Sequence, residues 1–252
     1  NRGCALIVGA GDALGSALAH KFAKEGLLVC AVRRNAEKLS ALKRDIESSN
    51  NNNNDDHNAK CEIFPADARK EEDMTRVVKE IESNMGPIQV AIHNIGANVR
   101  YSLLDPDMTA QKYYKVWEMA SLSAFLMSRA VLPKMVERKQ GTVLFTGATA
   151  SLRGGANYAA FAGAMFAKRA LAQSMAREFG PQNIHVAHVF IDGGIQTEFG
   201  KGILGEETYK QAVQGDALLT PEAIAENFWH LHQQPRVAWT HELDLSPWVE
   251  KW

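Results

Sequence analysis

Short apolar segments alternate along this chain with longer segments in which apolar residues recur at helical spacing. The short segments are mainly apolar, which is typical of strands covered on both faces in a parallel sheet. They span residues 5–9, 27–32, 61–64, 90–93, 142–146 and 186–191. The helical segments span residues 14–25, 36–48, 71–84, 110–138, 158–179 and 221–232. This alternation predicts an α/β fold with a doubly wound, mostly parallel sheet of about seven strands and helices on both faces.

The composition changes abruptly at only one place in the chain. Of the 252 residues, 46% are hydrophobic and 23% are charged, as is usual for a globular protein with a sizeable core. We therefore predict a single domain over residues 1–252. Residues 48–58 read SSNNNNNDDHN, and almost none of these side chains can pack in a core. We expect a flexible surface insert there; a docking element for a partner is the alternative.

The charge of the chain is close to balanced. A net charge of −1 and a pI near 6.8 provide no overall positive field for nucleic acid or an anionic membrane, so small molecules or proteins are the expected partners. No apolar run reaches the roughly 20 residues that span a bilayer, and no signal-peptide pattern is present. We expect a soluble, intracellular protein, in the cytoplasm or the mitochondrial matrix. Cys4, Cys30 and Cys61 lie in or beside predicted strands and are expected to be buried, reduced thiols; we assign no metal site.

A glycine-rich turn joins the first predicted strand to the first predicted helix. Gly9, Gly11 and Gly15 are spaced as G-x-x-x-G-x-G with Ala13 at the middle glycine, and Leu14 begins the helix. Glycine allows the close backbone approach that a dinucleotide pyrophosphate needs, and the helix offers its first N–H groups to the phosphates. This turn resembles that of the short-chain dehydrogenase/reductase family, which has a Rossmann-type fold and binds a nicotinamide dinucleotide.

Further segments resemble that family in the same order along the chain. Asp67 and Ala68 match its Asp-Val/Ala pair, whose carboxylate accepts a hydrogen bond from adenine. Asn94 and Gly96 match its Asn-Asn-Ala-Gly segment. The sequence Asp-Gly-Gly-Ile-Gln-Thr matches its Pro-Gly-x-Ile/Val-x-Thr segment, which binds the nicotinamide carboxamide or a nearby phosphate. The resemblance therefore implies that these four residues bind the cofactor together with two from the last segment, Ile195 and Thr197.

The residues after the second strand bear on which dinucleotide is bound. Arg33 and Arg34 occupy the place where members that prefer NAD usually have an acidic residue. Guanidinium groups suit the 2′-phosphate of NADP, so NADP(H) is favoured over NAD(H). Asp12 in the glycine turn argues in the opposite direction, because a basic residue there would help to bind a phosphate.

The positions that carry the family's chemistry hold residues of other types. The family uses a tyrosine and, four residues later on the same helix face, a lysine that lowers the tyrosine pKa and binds the nicotinamide ribose. The alignment places Phe161 and Met165 at these two positions, Ala148 at the serine that polarises the carbonyl and Ala120 at the supporting asparagine. None of these four side chains can exchange a proton or carry a charge.

Tyr158 is the nearest candidate for a relocated proton donor. It lies one helical turn, about 5 Å, before Phe161. Lys168 follows Met165 by three residues, but it lies roughly 15 Å from Tyr158 along the helix axis and cannot pair with it. We expect the hydroxyls of Thr146 and Thr149 to point away from the reaction site, and His93 to be a structural residue at a strand end.

The sequence leaves three functions open. The first is an NADP(H)-binding protein with a lost or severely impaired active site that serves as a structural, sensing or assembly subunit. The second is an NAD(P)H-dependent oxidoreductase whose substrate needs no protein acid, or which uses Tyr158. The third is a scaffold that binds no cofactor. In related folds the two long middle helices pair across a two-fold axis, and the small residues of the second one predict a homodimer or a place in a larger assembly.

Overall fold

Nine strands form two sheets in the part of the chain that the computed structural model describes, residues 3–48 and 59–250. Apart from Ser48, the predicted insert at 48–58 lies outside these residues. In chain order the strands are β1 (Cys4–Val8), β2 (Leu28–Arg33), β3 (Lys60–Pro65), β4 (Ile88–His93), β5 (Gly141–Thr146), β6 (Ile184–Ile191), β7 (Gly194–Ile195), β8 (Leu218–Leu219) and β9 (Glu242–Leu245).

Seven of these strands form one sheet in the order β3-β2-β1-β4-β5-β6-β9, and every neighbouring pair is parallel. All residues of β1 and β6 are buried, as continuous apolar strands require. The order reverses between β1 and β4, and in such sheets ligands bind outside the carboxyl ends of the strands at this point. The predicted doubly wound, parallel sheet is confirmed.

Nine α-helices surround the sheets in the described ranges. In chain order they are α1 (Leu14–Lys24), α2 (Ala36–Ser48), α3 (Glu71–Asn84), α4 (Ala110–Trp117), α5 (Ser123–Glu137), α6 (Ala159–Phe179), α7 (Glu198–Leu204), α8 (Glu206–Gln214) and α9 (Pro221–Gln233). Helices α1, α2 and α9 pack on one face of the large sheet, and α3, α5 and α6 pack on the other. The predicted helices on both faces are therefore confirmed.

The predicted middle helix over 110–138 is confirmed as a continuous helical segment, but one of its turns is not α-helical. A π-helical turn, Glu118–Leu122, separates α4 from α5. The Ser123 hydroxyl donates to the carbonyl of Met119 at 2.5 Å, and such back-bonding competes with the helical hydrogen bonds. The predicted start of the next helix also shifts by one residue, since Tyr158 is the N-cap of α6.

Two parts of the fold were not located from the hydrophobic pattern. Strand β9 completes the large sheet although it reads Glu-Leu-Asp-Leu and is only partly buried. The segment after β6 forms α7, α8 and the small sheet of β7 and β8. The cysteine prediction is confirmed, since Cys4, Cys30 and Cys61 are free and buried. Within the described residues no helix is long and apolar enough to cross a membrane.

Candidate functional site

The glycine turn after β1 has two positions that require glycine. Gly9 has a φ of +94°, and a Cβ there would lie 2.7 Å from the carbonyl oxygen of Asn94. A Cβ on Gly15 would lie 2.5 Å from the carbonyl oxygen of Gly9. Gly11 donates its N–H to the Gly9 carbonyl at 2.8 Å, and Leu14 begins α1 with a buried side chain. The turn therefore brings the start of α1 against the carboxyl ends of β1 and β4.

Asn94 connects the carboxyl ends of three strands. Its Nδ2 donates to the Gly9 carbonyl at 3.1 Å, and its Oδ1 accepts from the Thr146 hydroxyl at 2.9 Å. Since β1, β4 and β5 are adjacent, one amide holds their ends together. Gly96, two residues further on, is exposed and has open space where a Cβ would be.

A pocket of about 160 Å³ opens at the carboxyl ends of β1, β2 and β3; we call it the strand-end pocket. It brings together predicted cofactor residues from separate parts of the sequence. The lining consists of Val8, Gly9, Val32, Arg33, Arg34, Ala66, Asp67, Ala68, Arg69, Ile95 and Met119. The pocket thus combines apolar walls with three guanidinium groups and one carboxylate, a pattern typical of small-molecule sites.

Asp67 is held by a neighbour that the sequence analysis missed. Arg69 donates from Nε to Oδ1 at 2.9 Å and from its terminal nitrogen to Oδ2 at 2.6 Å. These hydrogen bonds lower the pKa of Asp67 to about 2, so the carboxylate is ionised at neutral pH. The signal was present in the spacing Asp-x-Arg after the third strand, but the pairing depends on side-chain direction.

Arg33 is also paired, with Asp12 of the glycine turn. The Arg33 guanidinium donates to Asp12 Oδ1 at 2.5 Å, and Lys38 donates from Nζ to Asp12 Oδ2 at 2.6 Å. The hydrogen bonds from Arg33 and then Lys38 lower the pKa of Asp12 to about 2. Lys38, in the first turn of α2, was not predicted as part of the site. Arg34 is exposed and forms no ion pair with any residue of the described ranges.

The segment with Ile195 and Thr197 lies on the other side of the glycine turn. Ile195 belongs to β7, which pairs with β8. The Thr197 hydroxyl accepts from the N–H of Gly200 at 2.9 Å and caps α7. Thr197 shares a groove with Asp12 and Ala13, whereas neither Ile195 nor Thr197 lines the strand-end pocket.

The four positions aligned with the family's chemistry lie around one apolar cluster, which we call the reaction-side cluster. Ala120 from the π-helical turn and Phe161 and Met165 from α6 are buried in it, with 0%, 7% and 2% of their surfaces exposed. Ala148 and Tyr158 pack against it. Its buried members are Ala97, Val116, Ala120, Ala150, Ala160, Phe161, Ala162, Ala164 and Met165.

Tyr158 and Lys168 have unrelated surroundings. Tyr158 is half-buried, and the Arg100 guanidinium lies 5.8 Å from the centre of its ring. Lys168 is fully buried and donates from Nζ to the carbonyl oxygens of Ile95 at 2.7 Å and Thr146 at 3.2 Å. Burial lowers its pKa to about 7. The ammonium of Lys168 is therefore committed to backbone carbonyls at the ends of β4 and β5.

The threonines near Ala148 also have partners for their hydroxyls. Thr146 donates to Asn94, and Thr149 donates to Oδ1 of Asp192 at 2.5 Å. Asp192 is almost completely buried and also accepts from Arg153 at 3.0 Å. Asp192 stands where the related family has proline, and the sequence analysis did not foresee this network. It ties the loop with Ala148 to the end of β6.

His93 is buried at the end of β4 with Nε2 2.7 Å from the Ser123 hydroxyl. Because that hydroxyl gives its proton to Met119, His93 donates to Ser123. Burial, followed by the charge of Lys168, holds the pKa of His93 well below its ordinary value. The contact supports the expected structural role. Among the described residues no group of three His, Cys, Asp or Glu side chains is arranged to hold a metal ion.

One curated relative matches part of the chain. Bovine (Bos taurus) 3-ketodihydrosphingosine reductase is 26% identical over 184 residues, which are 72% of this chain and 53% of that reductase. The chain thus spans about half the length of the curated 3-ketodihydrosphingosine reductases that it matches.

Solved structures match along nearly the whole chain. A short-chain dehydrogenase from Rhodopseudomonas palustris is 38% identical, with a TM-score of 0.80 over 98% of this chain and 100% of that one. A metagenomic short-chain oxidoreductase in complex with NADP has the same fold, with a TM-score of 0.80 at 20% identity over 98% of both chains. The sequence model described as short chain dehydrogenase matches residues 3–207. This chain therefore belongs to the short-chain dehydrogenase family.

Proposed function

We propose that this protein binds NADP(H) through the strand-end pocket and the glycine turn. The pocket has apolar walls for adenine, the carboxylate of Asp67 on one side, and Arg33 and Arg34 at its edge. Guanidinium groups in this position suit a 2′-phosphate, and the N-terminus of α1 suits the pyrophosphate. The NADP-bound metagenomic relative, which shares the fold, supports the same assignment.

We further propose that the protein has lost the family's proton relay. The bound cofactor would then not be used for the family's reaction. The observation that carries this proposal is the reaction-side cluster, in which buried apolar side chains occupy the positions of the general acid and its supporting cation. The loss of a general acid alone slows a reaction by about a hundredfold to ten-thousandfold. The protein would then act as a structural, sensing or assembly subunit whose state depends on NADP(H).

The test combines binding with turnover on the same preparation. NADPH is titrated by its fluorescence, and its oxidation is then followed with panels of aldehydes, ketones and quinones. We expect saturable binding and no oxidation above the rate without protein. Rapid turnover of any carbonyl compound would contradict the proposal. Absence of NADP(H) binding, together with stable co-purification with a larger complex, would instead favour a scaffold without cofactor.

A second candidate is an oxidoreductase that uses Tyr158, and one observation favours it. Tyr158 borders the reaction-side cluster, and Arg100 lies 5.8 Å from the centre of its ring, so a cation is present beside the phenol. If turnover is found, Tyr158→Phe should abolish it, while the exposed Tyr114→Phe should not. Turnover that survives Tyr158→Phe would exclude this residue and point to a substrate, such as a quinone, that needs no protein acid.

A further inference from the structure

Lys168 is connected to the wall of the strand-end pocket through two sets of hydrogen bonds. Its Nζ donates to the carbonyl of Ile95 at 2.7 Å, and Ile95 lines that pocket. Nζ also donates to the carbonyl of Thr146 at 3.2 Å, and the Thr146 hydroxyl donates to Asn94. Asn94 in turn donates to the carbonyl of Gly9, which also lines the pocket. One buried ammonium therefore acts on both Gly9 and Ile95.

The contacts on either side of this ammonium leave little freedom for movement. A Cβ on Gly9 would lie 2.8 Å from Cγ1 of Ile95, so these two residues of the pocket wall pack closely. Lys168 extends from α6, which packs on the large sheet through Ala172 and Met175. Since its side chain is fully buried, the ammonium is a fixed point beneath the pocket wall.

The surroundings of Lys168 contain titratable groups but no carboxylate that is paired with it. The described part of the chain gives it no ion pair. The titratable groups of this region are His93 on β4, His188 on β6, Arg169 on α6, His241 before β9 and Glu242 on β9. Burial, followed by the charge of Lys168, lowers the pKa of His188 to about 3 and holds that of His93 well below its ordinary value, so both are neutral. Glu242 is bound through both oxygens by Arg169, at 2.8 Å. The fold thus gives Lys168 hydrogen-bond acceptors but no counter-ion.

We propose that Lys168 is a positioning residue of the cofactor site, whose ammonium holds Gly9 and Ile95 in the geometry that a dinucleotide binds, so that binding is coupled to protonation of this side chain. The inference rests on the proposed binding of a nicotinamide dinucleotide. An ammonium donates stronger hydrogen bonds than a neutral amine, so loss of the proton weakens both contacts. The phosphates of a dinucleotide at the same end of the sheet favour the positive charge that burial disfavours.

This coupling acts near neutral pH. Burial lowers the pKa of Lys168 to about 7, so the free protein contains both the ammonium and the amine at this pH. A cofactor that binds the ammonium form more tightly raises this pKa, and binding takes up a proton. The affinity is therefore highest below pH 7 and falls as the pH rises from the free to the bound pKa, by at most about tenfold per pH unit.

The experiment measures the dissociation constant of NADPH from pH 7 to 8.5, above the second ionisation of phosphate monoesters at about 6. We expect the wild-type constant to rise about fivefold over this range. Lys168→Met should bind at pH 7 about as weakly as the wild type at pH 8.5 and show no further change, because methionine does not titrate. The exposed Lys79→Met on α3 is the matched control and should keep the wild-type profile.

A second measurement uses the wild type alone and decides the matter if thermal melting shows that Lys168→Met does not fold. Calorimetry in two buffers of different ionisation enthalpy counts the protons taken up when NADPH binds, and we expect about half a proton at pH 7.5. A wild-type constant that is independent of pH, binding without proton uptake, or a pH profile that Lys168→Met retains would each overturn the inference while the proposed function stands. If no protein binds NADPH at any pH, the proposed function itself fails, and this inference with it.

Discussion

Lys168 is a fully buried base whose ammonium donates to the backbone carbonyls of Ile95 and Thr146. The titratable side chains beside it are also bases: its charge contributes, after burial, to the lowered pKa of His93 on β4 and of His188 on β6, the latter to about 3. Burial disfavours the charged form of Lys168 itself. A charge in such a place destabilises the fold unless a partner offsets it.

The lowered pKa of Lys168 makes the stability of the fold depend on pH. The folded pKa of Lys168 is about 7, below its ordinary value of 10.5, so between these values the unfolded chain binds more protons. The free energy of unfolding should rise with pH in this window, by up to about 1.4 kcal/mol per pH unit. Denaturant unfolding from pH 7 to 8.5 measures the slope, and any contribution from the three thiols, which begin to titrate in the upper part of this range, is common to the wild type and its lysine variants.

Lys168→Met should remove most of this slope, because methionine does not titrate. The exposed Lys79→Met on α3 is the control and should retain the wild-type slope. If Lys168→Met has the same slope as the wild type, the buried lysine does not titrate as described.

At the residue scale, the sequence alignment predicted which residue occupies each family position, but it did not predict which side chains pair with each other. The replacement of a tyrosine and a lysine by Phe161 and Met165 follows from the aligned sequence and remains a prediction about function. By contrast, the pairs of Arg69 with Asp67 and of Lys38 with Asp12 depend on rotamers and on how α2 lies against β2. No spacing rule in the sequence determines such contacts.

At the scale of elements, the π-helical turn between α4 and α5 depends on a contact with the neighbouring strand. Ser123 donates to Met119 and accepts from His93, which is buried on β4. The hydrophobic pattern of residues 110–138 is continuous across this turn, which explains why the sequence predicted one helix. Strands β1 to β6 were predictable because each contains a run of mainly apolar residues, whereas β9 alternates polar and apolar residues and pairs along one side only.

The contribution of the contact between Ser123 and His93 to stability can be measured by replacing two serines of α5 in turn. Ser123→Ala leaves Nε2 of His93 buried without a partner, so we expect a loss of about 1–3 kcal/mol in the free energy of unfolding. Ser128→Ala is the matched control, since Ser128 is buried and donates to Ala124 at 2.7 Å, a hydrogen bond of the same kind. It should cost less than about 1 kcal/mol. Equal losses in urea unfolding would show that the contact with His93 contributes nothing.

At the scale of the whole molecule, the outer face of α5 and α6 exposes aromatic side chains. Phe125 and Phe166 each have 42% of their surface exposed. We expect this face to pair two copies of the chain, because small residues on α6 allow close helix packing. Phe166→Glu should convert a dimer to a monomer in light scattering after size exclusion. Phe199→Glu, on α7, is the control and should remain dimeric. A monomeric wild type would contradict this expectation.

We propose that this protein retains the cofactor site of its family and has lost the proton relay. The most direct test compares NADPH oxidation by the wild type with that of a variant in which the family residues are restored: Ala120→Asn, Ala148→Ser, Phe161→Tyr and Met165→Lys. We expect both proteins to bind NADPH, and both receive the same carbonyl panel. We predict no oxidation above background by the wild type and at least about a hundredfold faster oxidation by the restored variant. Wild-type turnover as fast as that of the restored variant would contradict the claim.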